Sequence, residues 1–224
     1  MRSRSVVVAA LALAAVAAIA SALRAPTDGP APAASSSEVV ELTVYGAASL
    51  KGALEAARLA YQAAVPGTTL LLATDSSAAL ATQIEQGAPA DVFLSADSSN
   101  AQKLVDAGLV DGAPITFARN RLTIIVPADN PAAISSPADL ARPGVLVVAA
   151  GDDVPITRYA AQLIGNLGLA LGAAPRFAAG YAANIVSRED DVKAVVAKIE
   201  LGEGDAAIVY LTDAAASDGV ATVE

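Results

Sequence analysis

Two serines stand where chemistry can be done. Ser49 follows the apolar run Leu42-Thr43-Val44-Tyr45 through three small residues, Gly46, Ala47 and Ala48. Ser77 follows a second apolar run, Thr69 to Ala73. Each serine sits where a strand pattern ends and a helical one begins. A helix start carries unpaired N–H groups and a partial positive charge, so it attracts anions. A serine there adds a hydroxyl donor, and small neighbours let an anion approach the backbone. Serine is also a favoured helix cap, and for either residue taken alone the cap is the simpler reading. Gly151-Asp152-Asp153-Val154-Pro155 is a third junction of this kind, with the proline near the first helical position and the backbone N–H groups around Ile156 beside it. Asp190-Asp191 before Val192 is a fourth, where the acidic pair alone reads as opposing the helix dipole. Tyr210 closes the apolar run Ile208-Val209-Tyr210, and its hydroxyl either packs or turns into a cleft.

Much chemistry is excluded by what the chain lacks. There is no cysteine and no histidine among 224 residues. That removes a disulfide framework, a thiol nucleophile, a Ser-His-Asp triad and the usual zinc and imidazole metal sites, and no metal site is expected. The carboxylate pairs Asp152-Asp153, Asp190-Asp191 and Glu203/Asp205 lie in loop-like stretches, where such pairs are usually solvated. The formal net charge is −9, made of +2 over residues 1–37 and −11 over the rest. So acidic a body repels nucleic acid and anionic membranes, and any small anion it holds must be held by short-range hydrogen bonds.

The elements that must position these residues alternate. Leu50, Leu54, Ala57 and Tyr61 recur at helical spacing and stop at Pro66-Gly67; Leu80 and Ile84 mark a helix ended by Gly87 and Pro89. Val92-Phe93-Leu94 is a third strand, followed by a helix over Ser98 to Ala107. Leu122 to Val126 and Val145 to Ala149 read as strands, Pro155 to Leu167 as a helix, Val192, Val195, Val196 and Ile199 as one apolar helix face, and Ala206 to Tyr210 as a last strand. Short apolar strands alternating with helices predict α/β architecture with parallel sheets covered on both faces. The polar stretch near Phe117 to Arg121 divides it into a lobe over residues 41–118 and another over 119–224, with a ligand cleft between them. Ahead of both, Arg2 and Arg4, the apolar run Val6 to Ala20 and the small-residue site Ala20-Ser21-Ala22 read as a signal peptide over 1–22; the other reading is an uncleaved anchor. A Pro-, Ala- and Ser-rich tether follows over residues 23–40.

At these residues the chain resembles the periplasmic molybdate-binding proteins of ABC transporters. Ala47-Ala48-Ser49-Leu50 resembles that family's first ligand loop, and Ser76-Ser77-Ala78-Ala79-Leu80 onward to Asp91-Val92-Phe93 its second loop, helix and following strand. Arg119-Asn120-Arg121-Leu122 resembles the entry into the second lobe, and Gly151-Asp152 with Val154-Pro155 and Tyr159-Ala160 the third anion-facing turn. Asp191-Val192-Lys193, and Ile208-Val209-Tyr210 with Thr212-Asp213-Ala214, resemble the other two. The resemblance implies a two-lobed periplasmic-binding-protein-like fold. It implies molybdate, and tungstate with it, held by the hydroxyls and N–H groups of Ser49 and Ser77, the N–H groups of Ile156 and Val192, and the Tyr210 hydroxyl. It further implies a monomer in the periplasm or on the outer face of the cell membrane, a permease as partner, and neither enzymatic activity nor a cofactor. A sulfate-type binder, or an enzyme or sensor domain on the same fold, are the alternatives. Members of that family continue through a strand and a terminal helix that return to the first lobe, whereas this sequence stops at Val223-Glu224, so a first lobe with an uncovered edge is expected.

If the leader is cleaved, N-terminal sequencing of protein recovered from its host will begin near Leu23. An intact Met1 in the membrane fraction would identify an anchor instead.

Overall fold

The computed structural model describes residues 39–223. The expected signal peptide and most of the expected tether lie outside the described residues. The first lobe is a three-stranded parallel sheet in the order β2-β1-β3, built from β1 (Val40–Ala47), β2 (Thr68–Asp75) and β3 (Val92–Leu94). Each strand runs into a helix start. A 3-10 turn over Ala48–Leu50 leads into α1 (Lys51–Ala64), Ser76 leads into α2 (Ser77–Glu85), and Asp97 leads into α3 (Ser98–Asp106). Leu54, Leu80 and Leu104 from the three helices are buried, as is Val44 of β1. Coverage of the sheet is incomplete, since Val40, Leu71 and Val92 remain exposed.

Residues 111–121 form an exposed connection without regular structure, which includes the polar stretch where a boundary was expected. The second lobe begins with β4 (Leu122–Pro127), followed by β5 (Val147–Ala150), α4 (Pro155–Ala170), α5 (Ala174–Ala183), β6 (Ile185–Glu189), α6 (Val192–Glu200), β7 (Ala207–Tyr210), α7 (Leu211–Ala215) and β8 (Val220–Val223). Here the expectation of purely parallel sheets fails. β5 and β6 are parallel, but β4 lies antiparallel between β7 and β8. The reason is topological: the chain enters this lobe on β4 rather than through a helix crossover, and β7 returns beside it from the opposite direction. Buried strands on either side of such a reversal are equally apolar, so no period distinguishes them.

Two apolar clusters fill the second lobe. One joins Ile125, Val148, Val195, Ile199 and Val209; the other joins Ile124, Leu140, Ile164, Phe177 and Ile208. Because the chain is poor in aromatics, close packing relies on small side chains and on helices that touch. Gly168 in α4 is such a contact: a Cβ there would stand 2.7 Å from Ala174 Cα and 3.0 Å from its carbonyl oxygen, at the start of α5. No helix of the described residues is long and apolar enough to cross a membrane.

Gly168→Ala gains about 1 kcal/mol of helix propensity but pushes backbone against backbone. Overpacking of this kind costs about 1–3 kcal/mol. The urea midpoint of the variant is therefore expected to fall, and an unchanged or raised midpoint would show that α5 yields freely.

Candidate functional site

One small pocket collects the helix starts of both lobes. It is lined by Ala47, Ala48, Ser49, Ser76, Ser77 and Ala96 from the first lobe, and by Val154, Pro155, Ile156, Asp191, Val192 and Tyr210 from the second. The cavity volume is about 10 Å³, near the roughly 10–15 Å³ that one water molecule requires by the same measure. All five residues singled out from sequence, Ser49, Ser77, Ile156, Val192 and Tyr210, lie on it. No lysine or arginine lines it, and among the described residues there is no cluster of acidic side chains that could hold a metal ion.

The simpler reading of the serines, as caps, does not hold for either. Ser76 is the cap of α2; its hydroxyl accepts the Ala79 N–H at 3.2 Å. Ser77, one residue further on, is 1% exposed and its hydroxyl accepts the Ala96 N–H at 2.9 Å. That bond uses a lone pair and leaves the Ser77 proton to donate into the pocket. Ser49 lies within the 3-10 turn and caps nothing.

The other two turns are held by their own side chains. Thr157 donates its hydroxyl proton to the carbonyl oxygens of Ala150 (3.1 Å) and Gly151 (2.7 Å), and Gly151 N–H donates to Glu189 at 2.8 Å. These bonds fix the loop from which α4 starts. Asp191 caps α6, accepting the N–H groups of Lys193 (2.7 Å) and Ala194 (2.9 Å) on one carboxylate oxygen. Ser77 and Val192 are the first residues of their helices and Ile156 the second, so their N–H groups have no intrahelical acceptor. None finds one elsewhere among the described residues.

Tyr210 is buried and its hydroxyl has no hydrogen-bond partner among the described residues. Burial pushes its pKa up, helped by Tyr159, Asp213 and Asp97 nearby and opposed by Arg158. The phenol therefore stays a proton donor. Just beyond it, Asp213 is 1% exposed, with Lys193 Nζ at 2.7 Å from Oδ1, near enough for an ion pair although not aligned as a hydrogen bond. Burial raises the Asp213 pKa and the Lys193 ammonium pulls it back down. The pair ties α6, which presents Val192, to α7, which follows Tyr210.

Two charged residues beside this pocket had no signal in the sequence. Asp97 and Arg158 stand 61 positions apart, and only the fold shows that Arg158 reaches Asp97 Oδ2 at 3.1 Å. Arg158 also stacks over the Tyr159 ring, 5.1 Å from its centroid.

The Asp213 shift sets a pH dependence. An acid whose folded pKa is raised holds its proton in the folded state over a pH range where the unfolded chain has already lost it. The folded state is thus favoured at low pH, and that advantage is lost as pH rises from the ordinary 3.8 through the folded value. Relative to Asp213→Asn, which does not titrate, wild-type stability in urea should decline across this range. A difference between the two that is flat with pH would show that Lys193 fully compensates the carboxylate.

Comparison with known proteins bears on this pocket. Residues 42–224 match the family of bacterial extracellular solute-binding proteins. The molybdate-binding protein ModA of Mycobacterium tuberculosis H37Rv is 38% identical over 173 residues, which cover 77% of this chain and 62% of that protein's length. Among solved structures, the sulfate-binding protein SubI of Mycobacterium tuberculosis H37Rv superposes with a TM-score of 0.71 at 22% identity, covering 82% of this chain and 70% of that one. The periplasmic molybdate-binding protein of Azotobacter vinelandii superposes at 0.60 with 23% identity, covering 77% and 72%. The chain belongs to the bacterial extracellular solute-binding protein family and has its two-lobed fold.

Proposed function

We propose that this solute-binding protein captures molybdate, and tungstate with it, between its lobes outside the cytoplasm, and hands the anion to the permease of an ABC transporter. It acts as a monomer, as a carrier rather than an enzyme. The observation that carries the reading is the meeting, in one pocket, of four helix starts, the free proton of Ser77 and the partnerless hydroxyl of Tyr210. Every group so assembled is a neutral donor. A fully ionised tetrahedral oxyanion offers only acceptors, so an all-donor shell suits it. A protonated phosphate would bring a hydrogen toward donors and find no acceptor. The identity to ModA, and the match to a family of solute-binding proteins, support the choice of ligand and the carrier role.

In this reading Ser49 and Ser77 grip the anion from the first lobe, and Ile156, Val192 and Tyr210 grip it from the second. Binding therefore favours the form in which the lobes meet. Asp191 lines the pocket, but its carboxylate is turned to the α6 N–H groups and lowers the charge cost of gathering helix ends.

Calorimetry against molybdate, tungstate, sulfate and phosphate tests the ligand, and tight binding of the first two only is expected. Equal affinity for sulfate would overturn the molybdate assignment. A hydrogen bond to a charged group contributes roughly 1.5–3 kcal/mol, so Ser77→Ala and Tyr210→Phe should each weaken binding about ten- to a hundredfold. Ser76→Ala should instead lower stability by about 1 kcal/mol, as loss of a cap does, and largely spare affinity. Unchanged affinity in both Ser77→Ala and Tyr210→Phe would place the site elsewhere.

A further inference from the structure

The two lobes are joined by very few polar contacts. Among the described residues, every side-chain hydrogen bond and ion pair between residues 40–110 and 122–223 runs through Arg158. Its guanidinium donates to the Ser99 hydroxyl and to Asp97 Oδ2. Asp97 is well prepared for this. Its side chain is 4% exposed and caps α3 by accepting the Asn100 N–H at 2.9 Å, while Ser95 donates to the same oxygen at 3.2 Å. The carboxylate is thus held rigidly, one residue beyond Ala96, which lines the pocket and donates its N–H to Ser77. On the other side, Arg158 lies two residues after Ile156 in the first turn of α4. Its remaining contact is the Tyr159 ring and hydroxyl beneath it.

We propose that Arg158 is the polar latch of the cleft, a positioning residue that holds the Ile156 turn against the first lobe and sets how slowly a captured oxyanion is released. The latch rests on the capture reading above. It touches no ligand; it acts by stabilising the form in which the two donor sets face each other. The guanidinium suits the task because one planar fork reaches a hydroxyl and a carboxylate together, whereas an ammonium is a single point charge. An ion pair with one end exposed is worth little in general. Here Asp97 is buried and pre-oriented by its cap, so losing the cation leaves a desolvated charge behind.

The chain contains no cysteine, so Leu59→Cys and Leu169→Cys, at exposed positions of α1 and α4, accept one spin label on each lobe and nowhere else. Inter-lobe distances are measured without ligand by pulsed electron spin resonance in that background, and molybdate association and release by stopped flow. Arg158→Ala should raise the fraction of long distances and speed release about tenfold, with association changed by less than about twofold. Arg158→Lys should fall between wild type and Arg158→Ala. Asp97→Asn keeps the acceptor that caps α3 and removes the charge; it should match Arg158→Ala, and the double variant should add nothing to either. Unchanged distances and release in Arg158→Ala, or fully additive effects in the double variant, would overturn the latch. If the wild type fails to bind molybdate while the distances still respond to Arg158, the capture reading falls and with it the role in release, and only the contact between the lobes stands. If molybdate binds tightly and neither readout moves, the latch falls alone.

Discussion

Helix starts repel one another. Each brings roughly half a positive charge and several unpaired N–H groups, and the pocket gathers those at Ser49, Ser77, Ile156 and Val192. Much else in the molecule answers that crowding. Asp97, Asp191 and Asp213 all stand close around it, and each is turned to partners of its own: Asp97 to Asn100 and Arg158, Asp191 to the α6 backbone, Asp213 to Lys193. Each lowers the positive potential of the gathered helix ends. A strongly acidic chain and a pocket of positive helix ends are therefore compatible. Asp97 and Asp191 contribute their charge as carboxylates that already accept hydrogen bonds, and Asp213 as one half of an ion pair.

The division of labour between the lobes follows from where the chain turns. In the first lobe, parallel strands point the same ends toward the cleft, so β1 and β2 both deliver a serine-bearing helix start there. The second lobe uses two devices. Parallel β5 and β6 deliver Ile156 and Val192 at helix starts, while β7, antiparallel to β4, brings a side chain, Tyr210, in place of a helix end with a free serine. The Lys193–Asp213 pair then ties the helix that starts at Val192 to the one that follows Tyr210.

The strand-to-helix turns were legible in the sequence because they combine small residues, serine or acidic caps and a change of hydrophobic period within a few positions. Ser49, Ser77, Ile156 and Val192 all sit at such turns in the structure. The resemblance to a family, rather than the pattern itself, singled out Tyr210, since a tyrosine ending an apolar strand usually packs. Which of two adjacent serines capped α2 was not legible. Ser76 and Ser77 differ by one position, and their roles are set by Ala79 and by Ala96, the latter 19 residues away from Ser77. Arg158 and Asp97 were invisible for the same reason at longer range. The helix α5 was also missed, because Ala- and Gly-rich stretches such as 172–183 carry too little hydrophobic contrast for a period to stand out, and so were the short strands β6 and β8.

The apolar side chains that the first lobe brings to the pocket are all alanines. Ala48 belongs to the first lobe by sequence, yet it is buried among Val154, Ile156, Val192 and Tyr210 of the second, and Ala96 packs against the same cluster. Ala48 and Ala96 bring one methyl group each, and a buried methylene-sized group is worth about 0.8 kcal/mol. Larger side chains at these positions would drive the lobes together more strongly, but would also hold the helix starts too far apart to share one small ion. With alanine there, the apolar gain from closure is small and opposes the mutual repulsion of the helix ends. In the capture reading proposed above, such a near balance would let the charge of one dianion decide between open and closed.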